Sequence, residues 1–158
     1  MMRWLVSGAC RNVGKTRLAK RLCNALPKAF RVKIGHHPPK EGGDDNYFTN
    51  VEDFLTFMNT MSDHSHCLVE SNRLIHQGSG DIRIYIDAPP GARDVRPDAA
   101  GLRDKADVTI SAESHPEQWR RAVASRIDDG ALVGTICELF REQRDFLFRR
   151  EGEGSRES

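Results

Sequence analysis

Short unbroken apolar runs alternate along the chain with stretches whose apolar residues recur every three or four positions. Trp4-Leu5-Val6 leads into Ser7-Gly8, the pattern of a strand buried on both faces and ended by a turn. Leu18, Leu22, Ala25 and Leu26 repeat at helical spacing until Pro27, which cannot continue a helix. Phe30-Arg31-Val32-Lys33-Ile34 alternates and predicts a second strand. Cys67-Leu68-Val69, Ile82 to Ile86 and Val108-Thr109-Ile110 predict three more. The polar span from Gly35 to Asn50, with Pro38-Pro39 and Gly42-Gly43, is expected to be a long loop. Thr49 with Glu52 has capping-box spacing ahead of a helix whose apolar face is Val51, Phe54, Leu55, Met58 and Met61. Ser114 with Glu117, and Pro116 in the first turn, opens another helix. Thr135 with Glu138 opens the last, whose buried stripe is Ile136, Leu139, Phe140 and Leu147. Strands alternating with helices predict an α/β fold of three layers, a mainly parallel sheet with helices on both faces. Ligands of such sheets sit beyond the carboxyl ends of the strands.

The 158 residues are enough for one domain that needs no disulfide or metal to fold. Residues 1–149 read as that domain and 150–158, ending Glu-Gly-Glu-Gly-Ser-Arg-Glu-Ser, as a disordered tail. Lys and Arg number 24 against 23 Asp and Glu, a net charge of +1. That balance offers nothing to attract nucleic acid or an anionic membrane. No apolar run reaches the roughly 20 residues of a membrane span, and the opening apolar stretch is shorter than the core of a signal peptide. Cys10, Cys23, Cys67 and Cys137 form no Cys-x-x-Cys pair, so reduced thiols and a cytoplasmic location are expected.

The chemistry concentrates where the first strand ends. Ala9-Cys10-Arg11-Asn12-Val13-Gly14-Lys15-Thr16 follows a strand, precedes a helix and matches the Walker A pattern in a relaxed form, with Ala9 at the first glycine position. Such a loop curls its backbone N–H groups around a phosphate, and Gly14 lets the backbone approach. A helix starting near Lys15 adds its positive end. Lys15 would bridge the terminal phosphates of a nucleoside triphosphate, GTP or ATP, and the Thr16 hydroxyl would ligate Mg²⁺. These features predict the three-layer P-loop NTPase form of the α/β class. No Asn-Lys-x-Asp or Asp-x-x-Gly is present, against a Ras-like switch. Cys10 stands where the deviant loop of ParA-type ATPases has a second lysine.

A P-loop also needs a carboxylate at the end of a neighbouring strand to hold the metal or its water. Two residues compete: Asp87 closes Ile84-Tyr85-Ile86, and Glu70 closes Leu68-Val69.

The P-loop, Val32-Lys33-Ile34-Gly35-His36-His37 and Leu68-Val69-Glu70 together resemble the molybdopterin-guanine dinucleotide biosynthesis protein B family, a P-loop group related to dethiobiotin synthetase. The resemblance spans residues 4–111. It implies nucleotide binding with Mg²⁺, surrounded by Thr16, Glu70 and one of Asp44 or Asp45, and a place beside a partner enzyme of molybdenum cofactor biosynthesis. Of the two acids it favours Glu70.

The remaining constellations are weaker. His36-His37 could meet phosphate or a substrate anion. His64-Ser65-His66-Cys67 offers three ligands on one turn, where a chance grouping is the better reading. Arg93 and Arg96 could reach an acidic substrate, while Arg120-Arg121 and Arg149-Arg150 read as solvated helix faces. The leading expectation is Mg²⁺-dependent nucleotide binding with slow hydrolysis, in which Lys15, the loop amides and one of the acids Glu70 and Asp87 act by positioning and charge neutralisation. Two alternatives stand beside it: a small-molecule kinase whose acceptor binds at the 35–50 loop, and a non-catalytic nucleotide-sensing adaptor. A homodimer is left open.

Overall fold

The computed structural model describes residues 1–36, 46–76 and 80–148. The chain runs β1 (Met2–Gly8), α1 (Lys15–Ala25), β2 (Ala29–Ile34), β3 (Asn46–Phe48), α2 (Val51–Met58) and β4 (His66–Glu70). It continues through α3 (Arg73–His76), β5 (Ile82–Ile86), α4 (Ala99–Lys105), β6 (Val108–Ile110), α5 (Pro116–Ala124) and α6 (Gly130–Leu147). The strands form one six-stranded sheet in the order β3-β2-β4-β1-β5-β6, and every pairing is parallel.

Side chains alternate across a strand, so each one feeds two cores. Trp4, Val6, Leu68 and Ile84 face Leu18 and Leu22 of α1, Trp119 of α5 and Phe140 of α6. Leu5, Val32, Val69 and Tyr85 face Phe54 of α2, Ile75 of α3 and Leu102 of α4. Two helical layers thus sandwich the sheet, the three-layer arrangement expected for this class.

The layers also locate a crevice. The connection leaving β1 crosses one face through α1, while that leaving neighbouring β4 crosses the other through α3. Adjacent strands whose connections part in this way open a cleft at their carboxyl ends. Here that cleft lies between Gly8 and Glu70.

Several local expectations are revised. The 35–50 span contains β3, a short parallel strand added at the edge. Helix α2 is capped by Asn50, whose side chain accepts from the Asp53 amide, in place of Thr49. On its face Phe54 is buried but Leu55 is 47% exposed, because the side packed on the core runs through Val51, Phe54, Phe57 and Met58 and leaves Leu55 beside it. Ser114 does not cap α5; its hydroxyl instead donates to the Thr109 carbonyl at 2.6 Å. Helix α6 starts at Gly130, capped by the Asp129 side chain, and Thr135 lies inside it, donating back to the Ala131 carbonyl. The tail proposed for 150–158 lies outside the described residues. Among those described, no helix is long and apolar enough to cross a membrane.

Candidate functional site

Residues 9–14 make the turn between β1 and α1, and two of them adopt left-handed backbone. Asn12 has φ 65°, a region that asparagine tolerates better than most residues. Gly14, at φ 81°, is the residue before α1, and a Cβ there would lie 2.5 Å from Gln143 Nε2. A Cβ on Gly8 would lie 2.5 Å from the Val13 Cγ2 atom. Both glycines are therefore fixed by close approach, one by the loop folding onto β1 and the other by α6 bracing the loop.

The brace is specific. Gln143, only 2% exposed, donates through Nε2 to the Val13 carbonyl at 2.8 Å and to the Gly14 carbonyl at 3.4 Å. At the start of the turn the Ala9 amide bonds the Ile86 carbonyl at 2.9 Å, and the Ala9 carbonyl accepts from the Arg96 amide at 2.7 Å. Between these anchors, the amides from Cys10 to Arg17 donate to no backbone carbonyl among the described residues. Buried or half-buried amides without partners invite an acceptor from outside the chain. Ala9, Cys10 and Val13 are buried, whereas Arg11 and Asn12 are exposed.

Lys15 and Thr16 open α1 at the mouth of the crevice. The Thr16 hydroxyl donates to Glu70 Oε1 at 2.6 Å. Glu70 is 3% exposed, and its other oxygen has no hydrogen bond among the described residues. Arg31 Nη1 stands 3.9 Å from that oxygen. Burial lowers the pKa of Lys15; Glu70 opposes the shift, and Lys33 and Arg96 add to it. An ammonium held this way gains by receiving anionic oxygen.

Two clefts meet at Lys15. One, of about 570 Å³, is lined by Arg11, Asn12, Gly14, Lys15, Thr16 and Glu70, with Lys33 of β2 at its wall. The other, of about 480 Å³, is lined by Arg11, Lys15, His36, Asn72, Asp94 and Arg96, together with Cys10. Burial, then the nearby Asp94 carboxylate, raises the pKa of the Cys10 thiol, so it is no ready nucleophile.

Of the two acids weighed from sequence, the fold brings Glu70 to Thr16. Asp87 lies on the other flank of β1, at the end of β5. It accepts from the Ala88 amide at 2.9 Å and the Tyr85 hydroxyl at 3.4 Å, and Arg103 stands 3.8 Å away. Burial, reinforced by Asp87, pushes the Tyr85 hydroxyl up to about 12. Asp87 therefore sits as a turn carboxylate and lines neither cleft. Asp44, Asp45 and His37 lie outside the described residues.

The His64-Ser65-His66-Cys67 ligands are dispersed. His66 Nδ1 accepts from the Trp4 indole at 3.1 Å, His64 packs edge-on against Phe30, and the Cys67 thiol is pushed up to about 12 by burial. Among the described residues no group of three or more His, Cys, Asp and Glu is gathered for a metal. Arg120 and Arg121 are exposed on α5, as their pattern predicts.

Sequence reasoning missed Gln143, Asn72 and Asp94. Gln143 carried a signal, because it falls on the buried stripe of α6 one helical repeat beyond Ile136 and Phe140; a polar residue there needs a partner. Asn72 and Asp94 are ordinary loop residues whose placement comes from the sheet order.

No family model matches the chain, and no curated protein matches it.

Proposed function

We propose that the chain binds a nucleoside triphosphate, GTP or ATP, with Mg²⁺ in the 9–16 loop and slowly cleaves its terminal phosphoryl group. The observation that carries this reading is the Thr16 hydroxyl bonded at 2.6 Å to buried Glu70, beside Lys15 and a run of amides that meet no backbone carbonyl among the described residues. A lysine, a hydroxyl, a carboxylate and a strand-to-helix turn meeting at a switch point are what polyphosphate recognition requires.

The donor set fits Mg²⁺: a hydroxyl and a carboxylate are hard oxygen ligands, and Glu70 Oε2 is a buried anionic oxygen without a hydrogen bond among the described residues. Thr16 and Glu70 would hold the ion, directly or through water. When bound, Mg²⁺ neutralises charge on the phosphates. Lys15 contributes the same neutralisation from the protein side, at a position shared by both clefts. The loop amides, preset by Gln143 and Arg96, would stabilise the transferring group without reorganising. Among the described residues no carboxylate or imidazole other than Glu70 lines the nucleotide cleft, and Glu70 is bonded to Thr16. The described residues thus offer the attacking water no dedicated base, which supports slow turnover.

The resemblance to the molybdopterin-guanine dinucleotide biosynthesis protein B family extends the reading to an accessory role beside a partner enzyme of molybdenum cofactor assembly. A small-molecule kinase is the second reading, favoured by the second cleft across Lys15. The test is a thermal-shift panel of ATP, GTP and their diphosphates with and without Mg²⁺. Stabilisation should require Mg²⁺ for the triphosphates and vanish in Lys15→Ala; equal stabilisation of that variant removes the site from Lys15.

A further inference from the structure

We propose that the cleft lined by Asn72, His36 and Asp94 seats a small hydroxyl-bearing oxyanion, and that this molecule accepts the phosphoryl group. The inference rests on the nucleotide reading above and adds the class of acceptor to it.

The hydrogen-bonding capacity left over in this cleft decides the class. The Arg73 guanidinium lies 2.6 Å from His36 Nδ1. A guanidinium can only donate, so Nδ1 is the acceptor and the ring proton sits on Nε2. Asn72 Oδ1 accepts from the Gly8 amide at 3.2 Å, which leaves its NH₂ as a donor. Arg11 is exposed and has no ion pair or hydrogen bond among the described residues. Arg96 is partly engaged, with Nε and Nη2 on Asp98 at 2.9 and 3.2 Å, and Lys15 stands at the border with the nucleotide cleft. Donors therefore line one cleft from several loops, and the complementary ligand is rich in acceptors: a carboxylate or a phosphomonoester.

Asp94 is the exception. Among the described residues it is the one carboxylate lining this cleft, it is exposed, and it makes no hydrogen bond or ion pair. An anionic ligand would not be drawn to it, but a hydroxyl on that ligand would. The cleft also exceeds the needs of a water molecule. Its volume of about 480 Å³ is more than tenfold the roughly 30 Å³ share of one water, and it lies in the range of small-molecule sites.

The step balances with these groups. The acceptor hydroxyl oxygen forms a bond to the γ-phosphorus and releases its proton to the Asp94 carboxylate. The bond from the γ-phosphorus to its bridging oxygen breaks, and that electron pair leaves with the nucleoside diphosphate. Lys15, common to both clefts, faces the transferring group. Asn72, His36 and Arg11 hold the anionic end of the acceptor.

The experiment uses the full chain with Mg-ATP or Mg-GTP and measures nucleoside diphosphate release alone and with three sets of probes. These are hydroxy-carboxylates such as glycerate, hydroxylated phosphates such as glycerol 3-phosphate and glucose 6-phosphate, and the neutral polyols glycerol and glucose. The expected result is at least a tenfold rise with one anionic set, none with the neutral polyols, and a new phosphoester in the phosphorus NMR spectrum. The responding set tells carboxylate from phosphate. His36→Ala should raise the acceptor KM several-fold at little change in kcat, and Asp94→Asn, shown folded by circular dichroism, should lose the acceptor-dependent increment. Nucleotide-induced thermal stabilisation with no response to any anion, or an equal response to neutral polyols, overturns the acceptor site alone. Failure of that stabilisation overturns the nucleotide reading and this one with it.

Discussion

Gln143→Glu isolates the brace between α6 and the loop, because it keeps the side-chain shape and replaces one donor with an acceptor. In the native chain Nε2 must face the loop, since its two neighbours there are the Val13 and Gly14 carbonyl oxygens. An ionised carboxylate at 143 would confront both. The Gly14 carbonyl keeps the Leu18 amide at 3.0 Å, but buried Val13 would lose its partner, which costs about 1–3 kcal/mol by itself, and desolvation of the carboxylate adds to that. Protonation sets the ceiling, because a neutral carboxyl can donate to Val13 as the amide does. Relative to a free glutamate near pKa 4.3, each pH unit adds at most about 1.36 kcal/mol, so the limit at pH 7 is about 3.7 kcal/mol. The sign follows from proton counts: the folded carboxyl holds its proton to higher pH than the unfolded one, so stability falls as pH rises above about 4.3. Urea unfolding of the variant against the native chain, from pH 4.5 to 7.5, should show a gap that starts small and widens to about 2–4 kcal/mol. On melting, this corresponds to roughly 5–15 °C at pH 7. A gap within about 0.5 kcal/mol at pH 7, or one independent of pH, refutes the brace.

Three further perturbations probe the same site. Glu70→Gln keeps an oxygen for Thr16 but removes the charge, and single-turnover hydrolysis should fall about 10²-fold or more; native rates would place the acid elsewhere. Because burial lowers the Lys15 pKa, its ammonium is lost below the ordinary pH, and Mg-nucleotide affinity should drop as pH climbs through that depressed value. Calorimetric titration between about pH 7 and 10 reads this, and a flat profile refutes it; in the empty protein the same shift makes stability rise with pH, since the unfolded chain then binds more protons. Gly8→Ala, whose Cβ would fall 2.5 Å from Val13 Cγ2, should cost about 1–3 kcal/mol in urea unfolding and weaken nucleotide binding. Native stability and affinity would mean that the loop does not fold back on β1.

Short-range physics is legible in the order of the residues. A strand buried on both faces appears as an unbroken apolar run, so β1, β4 and β5 are legible from Trp4-Leu5-Val6, Cys67-Leu68-Val69 and Ile82 to Ile86. The loop of residues 9–16 is legible because its chemistry lies in consecutive residues. Edge strand β3 is not, since three residues in a polar stretch carry too little periodicity, and the helix caps are ambiguous where several Ser, Thr, Asn and Asp residues compete locally. Which acid Thr16 meets is a matter of tertiary structure: Glu70 and Asp87 both end apolar strands beside β1, and the face on which α1 packs brings Thr16 to Glu70, 54 residues away. Tertiary structure also decided the Gln143 brace, 130 residues from Val13, and the donor-lined cleft, whose walls come from the loops after β1, β2, β4 and β5. Such contacts are fixed by how layers stack, a property of the whole sheet that no local window of residues contains.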